Sequence, residues 1–83
     1  MKLFYFSWVR EKIGVASEDI NPPHEIDTVQ KLVNWLCSRG ESYSAAFADT
    51  SHIRIAINHE YADINARIRT NDEVAFFPPV TGG

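Results

Sequence analysis

The chain has 83 residues, 45% of them hydrophobic, and a formal net charge of −3 at pH 7. A chain this short buries only about 60% of its unfolded surface, enough for one core and not two, and its Lys and Arg residues are scattered rather than gathered into the stripe that nucleic acid requires. No run reaches the ~18 apolar residues of a membrane span, Met1-Lys2-Leu3-Phe4-Tyr5-Phe6 lacks the longer apolar stretch of a signal peptide, and a lone cysteine rules out an internal disulfide, so a soluble, cytoplasmic protein is expected.

Lys2 to Ser7 is dense in aromatics, which suits a strand in the middle of a sheet. Trp8 to Ile13 reads as one or two helical turns, with Gly14 placed for a left-handed cap. Glu18 to Asn21 is a short strand halted by Pro22-Pro23, which lack amide donors and fix φ. The main helix follows. Asp27 is its expected cap, with Gln30 completing a variant capping box, and Val29, Leu32, Val33 and Leu36 fall at i, i+3, i+4, i+7 on one face. Arg39 suits the negative end of the helix dipole, and Gly40 is expected to end the helix.

Ser42 to Ala48 is small and weakly helical, a second short helix or an ordered loop. Arg54 to Asn58 alternates as a strand with Ile55 and Ile57 inward, and Asn58-His59-Glu60 turns it into Tyr61-Ala62 as a hairpin. Thr70-Asn71-Asp72 is a turn, with Asn71 able to take a left-handed conformation, before a final strand Glu73 to Phe77. Its period of two puts Val74 and Phe76 on one face and Ala75 and Phe77 on the other. The expected architecture is an α+β roll, a mixed sheet covered on one face by the main helix, with the apolar first and last strands side by side at its centre.

Catalytic constellations are not found. His24, His52 and His59 lack metal-ligand spacing, so no metal site is expected, and Cys37 sits beside core positions of the main helix as a small hydrophobe. There is no phosphate-binding glycine loop and no Ser-His-Asp arrangement, and Asp72 and Glu73 read as solvated turn charges. Phe77 and Tyr61 are different: both are expected on the helix-free face, where exposed apolar surface marks a protein partner.

The chain ends Phe76-Phe77-Pro78-Pro79-Val80-Thr81-Gly82-Gly83. Prolines cannot extend the sheet, so residues 1–79 are expected as the domain and 80–83 as an extended tail aimed by Pro78-Pro79. From Val80 to Gly83 the tail reaches about 13 Å at ~3.3 Å per residue, and a glycine end can enter a channel that any Cβ would block. Its carboxylate, with an ordinary pKa near ~3.5, is an anion and a poor acyl electrophile until activated.

Asp72 to Gly83, in a chain opening Leu3-Phe4-Tyr5-Phe6 and continuing Val9-Arg10-Glu11, resembles the small-subunit family of molybdopterin synthase over nearly its whole length. The Phe-Pro-Pro-Val-x-Gly-Gly ending carries the specificity. The resemblance implies a ubiquitin-like β-grasp fold and a sulfur carrier that binds no cofactor. An adenylating enzyme related to the ubiquitin-activating enzymes is implied to use ATP to adenylate Gly83, after which persulfide sulfur leaves a thiocarboxylate there. The large subunit then receives the tail, and the sulfur passes to cyclic pyranopterin monophosphate, two transfers making the dithiolene. Gly82 is implied to give clearance, and Phe77, Pro78, Pro79, Val80, Thr81 and Tyr61 to meet the partners. Such small subunits pair with a central dimer of large ones. A sulfur carrier for thiamine synthesis and a protein modifier linked through Gly83 to lysines are the alternatives.

Overall fold

The first and last strands are the most apolar of the chain, and they pair in parallel: β1 (Lys2–Tyr5) lies against β5 (Glu73–Phe77), with Leu3 opposite Val74 and Tyr5 opposite Phe76. The computed structural model describes residues 1–79; Val80, Thr81, Gly82 and Gly83 lie outside the described residues. On its other side β5 pairs antiparallel with β3 (Arg54–Ile57), which forms a hairpin with β4 (Glu60–Ala62), while β2 (Ser17–Asp19) runs antiparallel along β1. The sheet order is β2-β1-β5-β3-β4, so the last strand occupies the centre, as expected.

Alternation then sorts the side chains. Leu3, Tyr5, Ile55, Val74 and Phe76 face inward and are buried, and helices cover them. α2 (Val29–Ser38) contributes Val29, Leu32, Val33 and Leu36, the four positions that its helical spacing marks. α1 (Ser7–Ile13) adds Val9 and Ile13, and α3 (Glu41–Ala46) adds Ala46, so the main helix shares the cover with two short ones. Phe76 is the aromatic centre: it stacks on Tyr5 at 6.0 Å and takes Phe47 edge-on at 5.0 Å.

Gly14 caps α1 in the left-handed conformation at φ 99°, its N–H bonding to the Arg10 carbonyl. The ends of α2 differ from expectation. Thr28, not Asp27, is the cap, and its Oγ1 accepts from the Lys31 amide at 3.2 Å. The reason is tertiary. The segment around Ile64 to Arg67 lies across this end, and the carbonyls of Ala66 and Ile64 accept from the amides of Val29 and Gln30, donors that a capping box would otherwise have to satisfy. Asp27 instead holds Lys31 at 3.0 Å and Arg67 at 3.5 Å, and Gln30 turns to Asn34. At the other end Arg39 is the cap, and Gly40, at an extended φ of 167°, leads directly into α3 rather than reversing the chain.

The β3–β4 turn is tight because Asn58 and His59 both adopt positive φ, 51° and 71°, the pattern of a type I′ hairpin. Asn58 also clamps the start of β5: its Nδ2 donates to Asp72 Oδ1 at 2.9 Å, and its Oδ1 accepts from the Glu73 amide at 3.0 Å. Asn71 is not among the positive-φ residues; Asp72 shapes its turn instead, accepting from the Arg69 amide at 2.7 Å. Asp72 is therefore a structural acceptor and not a merely solvated charge.

One carboxylate joins several elements. Glu18 Oε2 on β2 accepts from the Tyr5 hydroxyl of β1 and the Tyr43 hydroxyl of α3, both at 2.7 Å. Arg39 Nη1 lies 3.6 Å from Glu18 Oε1, and its guanidinium covers the rings of Trp35 and Tyr43. Burial, reinforced by the Glu18 hydrogen bond, pushes the Tyr5 phenol above its ordinary pKa. With the folded value raised, this contribution is complete below the unfolded value of ~10 and is lost as pH climbs above it, at up to about 1.4 kcal/mol per pH unit. Tyr5→Phe should therefore flatten the fall in urea-unfolding free energy above pH ~10 relative to the unaltered chain. Identical slopes for the two proteins would contradict this linkage.

Candidate functional site

The helices leave the opposite face of the sheet open, and alternation decides what it displays. Phe4 on β1 is opposite Ala75 on β5, Ala75 is opposite Ala56 on β3, and Ala56 is opposite Tyr61 on β4. Phe77 ends β5 on this face, beside Tyr61, with ring centroids 5.9 Å apart. Tyr61 is 81% exposed, and Phe77 is half-buried. The two aromatics expected here from the sequence are thus brought together as one pair.

Phe4 and Phe6 belong to the same surface, although sequence reading did not single them out. Phe6 donates its amide to the Phe76 carbonyl at 3.1 Å, prolonging the β1–β5 pairing, and Ser7, at a left-handed φ of 54°, then turns the chain into α1. Phe6 is left 49% exposed, and with Phe4, Ala56 and Ala75 it lines a shallow hollow. The signal was available: the two-residue period that separates Phe76 from Phe77 also separates Leu3 and Tyr5 from Phe4 and Phe6. Polar groups rim the surface, with Lys2 Nζ 5.6 Å from the Phe4 ring centroid and His59 Nε2 3.3 Å from Glu73 Oε2.

Pro78 and Pro79, both half-buried, carry the chain off the end of β5. They line a groove of about 890 Å³ on the helical side, opposite the aromatic surface. The remaining sequence-predicted site residues, Val80, Thr81, Gly82 and Gly83, lie outside the described residues.

Side-chain chemistry elsewhere is structural. Among the described residues no group of three or more His, Cys, Asp or Glu side chains could hold a metal ion. Burial pushes the Cys37 thiol up from its ordinary pKa, disfavouring the nucleophilic thiolate, and its Sγ faces the Tyr43 carbonyl at 3.8 Å. Asp49 caps the 3₁₀ turn Thr50–His52, and hydrogen bonds from Ser51 hold its carboxyl below the usual range. No described helix is long and apolar enough to cross a membrane.

Comparison with known proteins adds identity to this geometry. The ThiS family matches residues 3–83. The molybdopterin synthase sulfur carrier subunit of Haemophilus influenzae is 30% identical over 83 residues, a match that spans 100% of this chain and 99% of that protein. The crystal structure of SAMP1 from Haloferax volcanii superposes with a TM-score of 0.77 at 25% identity, covering 100% of this chain and 98% of that one. A chain of the Helicobacter pylori complex of subunits 1 and 2 of molybdopterin-converting factor shares the fold, with a TM-score of 0.64 at 20% identity over 99% of this chain and 96% of its own. The roll is a ubiquitin-like β-grasp.

Adjacent phenylalanines on opposite faces should respond differently to truncation. Phe76→Ala empties the centre of the core and should cost about 3–5 kcal/mol, a large part of the stability of so small a domain. Phe77→Ala removes partly solvated area and should cost roughly 1 kcal/mol. Urea midpoints of the two variants test the assignment of faces, and equal losses would reject it.

Proposed function

The chain belongs to the ThiS family, and on that footing we propose that it is the sulfur carrier subunit of a molybdopterin synthase. The observation that carries this reading is the chain-long identity to curated sulfur carrier subunits. The structure supports it with an aromatic face built around the strand from which the Gly-Gly ending departs.

Residues 1–79 are the folded platform, and 80–83 are the working tail. The Gly83 carboxylate, an anion at neutral pH, is first made electrophilic: an adenylating enzyme spends ATP to join it to AMP. The terminal sulfur of a protein persulfide then displaces AMP to give an acyl disulfide. A second thiol of the sulfur-donating enzyme attacks the persulfide-bearing cysteine sulfur, forming a disulfide there and releasing a thiocarboxylate on Gly83. Gly82, lacking a Cβ, lets that end enter a narrow channel in the large subunit, where the sulfur passes to cyclic pyranopterin monophosphate. Catalytic side chains belong to the partner, and this chain donates sulfur without a bound cofactor or metal of its own. Phe77 anchors the adenylating enzyme and the large subunit in turn, with Tyr61 beside it and Pro78, Pro79, Val80 and Thr81 entering the contact. Two such chains flank a dimer of large subunits in the cytoplasm.

A second reading, a modifier linked through Gly83 to lysine amines, is favoured by the likeness to SAMP1 at a TM-score of 0.77. The mass of the protein isolated from its own cells separates the two. Replacement of one oxygen by sulfur on Gly83 is the expected result; lysine-linked conjugates in its place would favour the modifier. If neither species forms with the adenylating enzyme, ATP and a sulfur source supplied, the carrier assignment fails.

Deleting Gly83 should abolish sulfur transfer and leave the urea midpoint unchanged, because the core lies within residues 3–76. Phe77→Ala should weaken binding to the large subunit by on the order of tenfold, about 1.4 kcal/mol. Unchanged affinity for both partners would remove Phe77 from the docking role.

A further inference from the structure

The groove beside Pro78 and Pro79 lies across the tail base from the aromatic face, and apart from those two prolines the sulfur-carrier mechanism uses none of its lining. One wall is α1, with Trp8 half-buried and Lys12 exposed; the other is α3 and the residues after it, where Ala45 and Ala48 are exposed and small. Both walls are held in place. α1 is tied to β5 through the Phe6 amide and the Phe76 carbonyl, and α3 is tied to β1 and β2 through Tyr43 and Glu18. The groove is therefore preformed, mainly apolar, and open along its length.

Its charges are unequal in kind. Asp49 is occupied by Ser51 Oγ at 2.6 Å, the Ser51 amide at 3.0 Å and His52 Nε2 at 3.4 Å. Lys12 has no ion-pair partner among the described residues, leaving an uncompensated cation at the rim of an apolar trough. A complementary occupant is apolar and carries a carboxylate. Pro78 and Pro79 lie between this trough and the aromatic face, so a protein that encloses the chain beyond Pro79 meets both surfaces.

We infer that the groove lined by Trp8, Lys12, Ala45, Ala48 and Pro79 is a second docking site for the synthase large subunit, receiving an apolar segment that places an acidic side chain opposite Lys12. The inference rests on the sulfur-carrier reading for the identity of the partner. The aromatic face supplies one half of the grip and the groove the other.

Isothermal titration of the full chain against the large subunit from the same genome tests this. Ala45→Arg fills the trough from an exposed helical position that tolerates arginine, and Lys12→Glu reverses the rim charge. Each should weaken binding by about tenfold with an unchanged urea midpoint, and Phe77→Ala serves as the reference for the aromatic face. Losses of about threefold or more in both variants support the groove; a smaller loss in either overturns it. If the unaltered chain does not bind, the sulfur-carrier reading falls and the groove with it. If it binds, and loses affinity with Phe77→Ala alone, only the groove is rejected.

Discussion

The parallel pairing of β1 with β5 is the constraint on which the rest of this molecule depends. It inserts the last strand between β1 and β3, so β5 is hydrogen-bonded along both edges and cannot fray at the end of the chain as a terminal edge strand can. Once it is fixed there, the pleat leaves no freedom in the placement of its side chains. Phe76 must enter the core and Phe77 must face outward, and Pro78 must leave the sheet from its centre. Whatever follows Pro79 therefore starts from a central strand that is held along both edges.

Polar residues hold this platform where hydrophobic area alone does not specify geometry. Glu18 gathers the Tyr5 and Tyr43 hydroxyls and so ties the short edge strand β2 to β1 and α3. Asn58 performs the same service at the other end, joining the β3–β4 turn to the first residues of β5. Among the described residues no buried side-chain nitrogen or oxygen lacks a partner, so these groups specify the fold without an unpaired buried polar atom. Asp49 is committed to a cap, Asp72 to a turn clamp and Glu73 to a rim pair with His59.

On the proposed reading, the aromatic face and the groove are the two surfaces by which this small domain is recognised. Exposed rings on a sheet offer broad, stiff contact area at low entropic cost, whereas the groove offers depth and a charge. Their placement on either side of Pro78 and Pro79 makes the tail base the junction of two surfaces.

Local periodicity made much of this legible beforehand. The i, i+3, i+4, i+7 spacing from Val29 to Leu36 determines the buried stripe of α2, Gly14 determines the stop of α1, and the two-residue period of Glu73 to Phe77 determines which phenylalanine is inside. These follow from backbone geometry and need no knowledge of neighbours. Tertiary structure alone decided the rest. Thr28 displaced Asp27 as the cap because a segment some forty residues away, around Ala66, came to satisfy the helix amides. Glu18 became a hub because β2 brought it to two tyrosines distant in sequence. Phe4, Phe6, Phe77 and Tyr61 became one surface through strand order, and Trp8, Ala45 and Pro79 became one groove through helix packing. Adjacency between elements far apart in the chain is set by the packing of the whole core, which no local period encodes.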